Sequence, residues 1–250
     1  MIRDLFHFGL ALCLASCSPR PEKLIIATAA NVQFAMDGLV KEFASESGIP
    51  CEIILGSSGK LTAQIMAGAP YDVFVSADMK YPQELHAAGK TTDKPEVYAY
   101  GLLVLWTVRE DIEPELDMLN DDRVMHVAIA NPRTAPYGEA AREALVNYRL
   151  YEKVAGKLVY GESIAQVNQF ILSGTAEAGF TSKSMVLSGE MQNKGRWTEV
   201  DRTLYSPIAQ GAVIIRREGK DPAHAEDFYN FLYSENAQDI LKNSGYLAKP

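Results

Sequence analysis

A chain of 250 residues with 47% hydrophobic and 22% charged side chains has the make-up of a globular protein. It is long enough to bury a core without disulfide staples, which excludes a disordered or fibrous chain. Its 24 lysines and arginines against 32 aspartates and glutamates leave a net charge of −8, the wrong sign for a general nucleic-acid binder or for charge-driven docking on anionic lipid. Any small anion bound here must be drawn by local donors, against the mean field.

Residues 1–17, MIRDLFHFGLALCLASC, read as an address. Arg3 supplies one positive charge, and the apolar run Leu5–Ala15 is shorter than the roughly 20 residues a membrane-spanning helix needs. It suits the apolar core of a secretory signal peptide. Leu14-Ala15-Ser16-Cys17 resembles a bacterial lipobox, so Cys17 is the expected lipidation site; a plain signal peptide is the alternative. Residues 18–22, SPRPE, then form a proline-stiffened tether. Cleavage before Cys17 removes Cys13 and leaves Cys51 as the sole thiol once Cys17 is lipidated, so no internal disulfide is expected. Within the apolar stretch CEIIL, Cys51 reads as a small core residue.

Strand and helix alternate through the body. LIIA at 24–27 predicts a buried strand. Met36, Leu39, Val40 and Phe43 recur at helical spacing until Gly48. A strand at 52–55, a helix marked by Leu61, Ile65 and Met66, a strand at 72–75 and a helix over 82–88 follow. The apolar segment Val97–Val108 suits a crossover between two lobes, with Tyr98, Tyr100 and Trp106 packing in the core. A second series has strands at 127–130, 157–160 and 176–180 and helices at 138–148 and 164–172. GAVIIR at 211–216 reads as a return strand, with Arg216-Arg217 its solvated end. Helices at 223–233 and 237–244 finish the chain. This order predicts an α/β protein of two lobes, each a mostly parallel sheet flanked by helices, with a ligand cleft between them. The expected leader is 1–17 and the tether 18–22; 23–100 with 208–250 forms one lobe, and 101–207 the other.

Ligands of open α/β sheets bind beyond the carboxyl ends of the strands. Four strand-to-helix junctions here carry small or polar residues: Thr28-Ala29-Ala30-Asn31, Gly56-Ser57-Ser58-Gly59, Thr134-Ala135-Pro136-Tyr137-Gly138 and Gly161-Glu162-Ser163-Ile164. A helix start offers unpaired N–H groups and the positive end of its dipole, an anion site without a charged side chain. Each junction alone is equally a capped turn. Gly59-Lys60 is not a P-loop, because Ile54 stands where its first glycine belongs and Leu61 where Ser or Thr is required. The four histidines His7, His86, His126 and His224 form no metal-ligand spacing. Asp111-Ile112-Glu113 and Asp121-Asp122 read as solvated loop charge. No nucleophile–base pair or cofactor motif is evident, so neither an enzyme nor a cofactor is expected.

Several segments resemble the periplasmic molybdate-binding proteins of ABC importers, the ModA family, over about residues 23–247. They are Leu24-Ile25-Ile26-Ala27-Thr28-Ala29-Ala30-Asn31, Gly56-Ser57-Ser58-Gly59-Lys60-Leu61, Ala135-Pro136-Tyr137-Gly138 after Asn131-Pro132 and, most tellingly, Gly68-Ala69-Pro70-Tyr71-Asp72-Val73-Phe74-Val75-Ser76-Ala77-Asp78. The resemblance implies a type II periplasmic-binding-protein fold and oxyanion donors at Asn31, Ser58, Tyr137 and Ile164. Asn31 and Ser58 would act through side chain and backbone, Tyr137 and Ile164 mainly through backbone N–H. The fifth position, Ser182 in Thr181-Ser182-Lys183-Ser184, departs from the tyrosine that many members carry, and Lys183 beside it is expected on the surface. Molybdenum would then be held as an oxyanion, molybdate or tungstate, without direct coordination by the protein. Partners implied are that ligand and a membrane permease, not nucleic acid, with a monomer lipid-anchored in the periplasm or on the cell surface. Sulfate or thiosulfate binding, or a surface lipoprotein without a transport role, are the alternatives. Such a site offers donors only, which suits a fully deprotonated dianion and disfavours phosphate, whose remaining proton needs an acceptor.

Overall fold

The computed structural model describes residues 23–248. The leader with Cys17 and the tether at 18–22 lie outside the described residues.

The first series starts with strand β1 (Leu24–Ala29), helix α1 (Gln33–Ser47), strand β2 (Cys51–Gly56) and helix α2 (Ser58–Met66). Strand β3 (Val73–Val75), helix α3 (Lys80–Ala87) and strand β4 (Glu96–Gly101) complete it. The second contains β5 (Leu103–Thr107), β6 (Val127–Ala130), α4 (Pro136–Asn147), α5 (Tyr151–Val154) and β7 (Leu158–Gly161). It continues with α6 (Ile164–Leu172), β8 (Ala178–Ser182), α7 (Lys183–Val186) and β9 (Arg196–Glu199). The chain ends with β10 (Ile208–Ile214), α8 (Ala223–Leu232) and α9 (Glu235–Asn243).

Two five-stranded sheets result, in the orders β2-β1-β3-β10-β4 and β7-β6-β8-β5-β9. In the first, β1 pairs in parallel with β2 and β3, whereas β10 runs antiparallel to both β3 and β4. In the second, β6 pairs in parallel with β7 and β8, and β5 runs antiparallel to β8 and β9. Four strands of each sheet therefore point one way and one is reversed. The reversed strands, β5 and β10, are those with which the chain enters a sheet after leaving the other.

The apolar pattern accounts for the layers. On α1, Ala35, Met36, Leu39 and Phe43 form a buried stripe, and Gly48 ends the helix at φ 73°, a left-handed turn that glycine adopts without strain. Phe43 packs edge-on against Phe228 of α8 at 5.2 Å, within a core that also takes in Leu241 of α9. The opposite face of this sheet is covered by α2 and α3 through Leu61, Ile65, Tyr81 and Leu85. In the second lobe, Leu103–Trp106 and Val127–Ala130 pack with α4 and α6.

Three local expectations change. The apolar segment 97–108 is two strands rather than one, broken at Leu102, because β4 and β5 belong to different sheets. The return strand begins earlier than expected, at Ile208, since its first residues pair with β4 across the crossover. Arg216-Arg217 is tied back by hydrogen bonds, with Arg216 exposed as expected and Arg217 half-buried. Arg217 Nη1 and Lys220 Nζ lie 2.6 and 2.7 Å from Oδ1 of buried Asp72, whose Oδ2 accepts the Ile25 N–H at 2.8 Å. Arg216 donates to the Thr91 carbonyl at 3.0 Å.

Candidate functional site

The carboxyl ends of β1, β2, β3, β6 and β7 converge on one small cavity. Its wall is Ala29, Ala30 and Asn31 after β1, Gly56, Ser57 and Ser58 after β2, and Ala77 after β3. From the other sheet come Ala135, Pro136 and Tyr137 after β6, with Ser163 and Ile164 after β7. Among the described residues, no histidine, cysteine, carboxylate or cationic side chain is part of this wall.

Four of the five wall segments are helix starts, Ala77 being the exception. Ser58, Tyr137 and Ile164 are the first, second and first residues of α2, α4 and α6, and Asn31 lies in the 3₁₀ turn that leads into α1. Main-chain N–H groups at such positions have no acceptor within their own helix. Three helix dipoles thus present their positive ends to one small volume, from both lobes. Pro136 at the start of α4 removes an N–H that would have been spare and presets the helical φ. A Cβ at Gly138 would strike the Ala130 carbonyl, so glycine there lets α4 begin tight against β6.

The Ser58 hydroxyl is set for donation. Its Oγ accepts the Ala77 N–H at 3.0 Å, which leaves its own proton for a ligand oxygen. The Ser76-Ala77-Asp78 turn is in turn fixed by Asp78 Oδ1, which accepts from Ser76 Oγ at 3.1 Å and from Tyr81 N–H at 3.3 Å. Burial raises the Asp78 carboxyl above its usual range, and these hydrogen bonds pull it partly back.

Asn31 behaves differently from the expectation. Both amide protons are engaged, Nδ2 donating to Gln210 Oε1 at 3.0 Å and to the Tyr246 hydroxyl at 3.2 Å. The side chain thus faces a buried polar network, and the backbone N–H is the group left for the cavity. Tyr98 donates to the same Gln210 oxygen at 2.8 Å, and Gln210 Nε2 reaches the Tyr137 hydroxyl at 3.3 Å. Burial holds the phenols of Tyr98, Tyr137 and Tyr246 well above their ordinary range, so all three stay neutral.

Ser182 is fully buried but absent from the cavity wall. Its Oγ lies 3.0 Å from Ser184 Oγ and 3.5 Å from the Asn31 carbonyl. That carbonyl also accepts from Ser184 Oγ at 2.6 Å and Tyr246 at 2.8 Å. Ser182 and Ser184 therefore hold Asn31 from behind. Lys183 turns away from the cleft, as expected, to an ion pair with Glu199.

Contacts close the cleft directly. Gly59 N–H donates to the Thr134 carbonyl at 2.9 Å, and the Tyr81 hydroxyl to the Arg133 carbonyl at 3.1 Å. Lys60 pairs with Glu162 at 2.6 Å; with both side chains about half exposed, this contact is worth little in energy. Gln210, Tyr246 and Ser184 escaped the sequence reading. One signal was available, a glutamine just ahead of the apolar run GAVII. Tyr246 offered none, because it is brought to Asn31 by the fold alone.

The family of bacterial extracellular solute-binding proteins matches residues 24–247. The molybdate-binding protein ModA of Azotobacter vinelandii is 35% identical over 240 residues, covering 95% of each chain. The ModA protein of Rhodobacter capsulatus is 34% identical over 243 residues, covering 96% of this chain and 95% of its own. This chain belongs to the ModA family. The solved structure of the Azotobacter vinelandii periplasmic molybdate-binding protein superposes with a TM-score of 0.86 at 32% identity, over 91% of this chain and 100% of that one. Two-lobe architecture is thus shared with a family member along nearly the whole described chain.

Proposed function

We propose that this ModA-family chain is the extracytoplasmic component of an ABC importer, capturing molybdate, and tungstate with it, for delivery to a membrane permease. The observation that carries the reading is the uncharged, donor-rich cavity between the lobes, built from helix starts and hydroxyls with no charged side chain among the described residues of its wall. A tetrahedral dianion accepts hydrogen bonds through every oxygen and needs no acceptor in return. Backbone N–H groups of Asn31, Ser58, Tyr137 and Ile164 together with the Ser58 hydroxyl are the contacts we assign; Ser182 supports Asn31. Phosphate that retains a proton finds no carboxylate to receive it, which weakens its fit to this wall. Molybdenum enters as bound ligand, not as a cofactor, and the chain is a carrier rather than an enzyme.

The family places the protein in the periplasm. Lipidation at Cys17, with 18–22 as tether and a monomeric state, completes the reading, and the sequence LASC is its support. The test is uptake. Cells from which the gene is deleted should lose accumulation of labelled molybdate at trace concentration and regain it from a plasmid copy. Undiminished uptake in the deletion strain would overturn the assignment.

A further inference from the structure

Two buried side-chain polar atoms among the described residues lack a hydrogen-bond partner, Ser57 Oγ and Asn168 Nδ2. Only Ser57 belongs to the cavity wall. It is 4% exposed and stands at the N-cap of α2, where a serine usually turns its hydroxyl back to an N–H of the first helical turn. Here it makes no such bond. One of the N–H groups it would cap, that of Gly59, is given instead to the Thr134 carbonyl across the cleft. A hydroxyl deprived of water and of a protein acceptor is unfavourable by itself, and its placement on the wall of an uncharged, donor-rich cavity gives it a use.

We propose that the Ser57 hydroxyl is a further oxyanion donor, distinct from the Ser58 group and satisfied only when a tetrahedral oxyanion occupies the cavity. The proposal rests on the ligand class argued above. Adjacent serines then play different parts. Ser58 is held by the Ala77 N–H whether or not ligand is bound, whereas Ser57 gains its first acceptor on binding. Removing the Ser57 hydroxyl should therefore weaken the complex without harming the free protein.

Calorimetric titration of the purified full chain with molybdate, for wild type, Ser57→Ala and Ser58→Ala, tests this, together with thermal melting of each without ligand. Ser57→Ala should lose roughly tenfold in affinity, the scale of one hydrogen bond to a charged acceptor, while its ligand-free melting temperature stays level or rises. Equal affinity of Ser57→Ala and wild type, with Ser58→Ala weakened, would overturn the Ser57 assignment and leave the oxyanion site standing. A lowered ligand-free melting temperature in Ser57→Ala would also overturn it, as the mark of a structural hydroxyl. Absence of heat with wild type would overturn the ligand reading and this proposal together.

Discussion

Tyr98, Tyr137 and Tyr246 sit with Gln210 behind the oxyanion loops, and their titration reports on whether that network is as dry as it looks. Burial raises all three phenols. An unfolded tyrosine loses its proton near pH 10, while the folded ones keep theirs. Above that pH the unfolded chain binds fewer protons, so stability falls as pH rises, by about 1.4 kcal/mol per pH unit for each such tyrosine. Below the unfolded value the contribution is complete. Tyr98→Phe should flatten this alkaline slope by about one such increment, measured by urea unfolding between about pH 10 and 11.5. An unchanged slope would mean that Tyr98 ionises in the folded protein. At this scale the sequence put Ser58, Tyr137 and Ile164 at helix starts, where the structure also has them, because a helix start needs only its place in the chain. It misled about the Asn31 side chain, whose partners Gln210 and Tyr246 lie 179 and 215 residues away. Local pattern carries no trace of such distant pairs.

Helix α2 shows how an element joins the site to the closing of the lobes. Its start carries Ser58 on the cavity wall and Gly59 against the opposite lobe. A Cβ at Gly59 would come 2.7 Å from the Tyr81 hydroxyl and 3.0 Å from the Thr134 Cα and carbonyl oxygen. The tyrosine tip can shift, but the Thr134 backbone cannot follow without opening the cleft. Alanine is at the same time the better helix former, by up to about 1 kcal/mol in a helix interior. Gly59→Ala should therefore leave ligand-free stability unchanged or raised, yet weaken oxyanion binding by roughly 1–3 kcal/mol through overpacking of the closed form. Denaturant unfolding and titration calorimetry on the same preparation check both signs. Unaltered affinity would show that this contact does not form in the liganded state. Elements with buried apolar stripes, such as α1 and β6, were legible because their period is written in the residues. Strand β9 was not, since RWTE is a partly exposed edge strand whose only sheet neighbour is β5. The break at Leu102 was hidden for a related reason. A buried apolar run looks the same whether it serves one sheet or two.

For the molecule as a whole, the architecture turns a protein of net charge −8 into a trap for an anion. The mean field repels the ligand, and ion pairs such as Lys60–Glu162 at the rim cancel rather than attract. On the proposed reading, attraction resides in oriented backbone dipoles, which are fixed by the sheets and need little reorganisation when the ligand arrives. Reversal of β5 and β10 matters here, because those strands carry the chain from one sheet to the other beside the Gln210 network. Fold class and cleft position followed from strand and helix order, whereas the ligand followed from residue-level likeness. Strand order alone would have suited many anions.

The most direct test of the central claim is thermal melting of the purified protein with molybdate, tungstate, sulfate, thiosulfate or phosphate in parallel. A ligand at about 100 times its dissociation constant adds roughly 2.7 kcal/mol to the folded state. The account predicts an upward shift of several degrees with molybdate and tungstate, and none with phosphate. A shift with sulfate or thiosulfate alone, or no shift with any of the five, would contradict it.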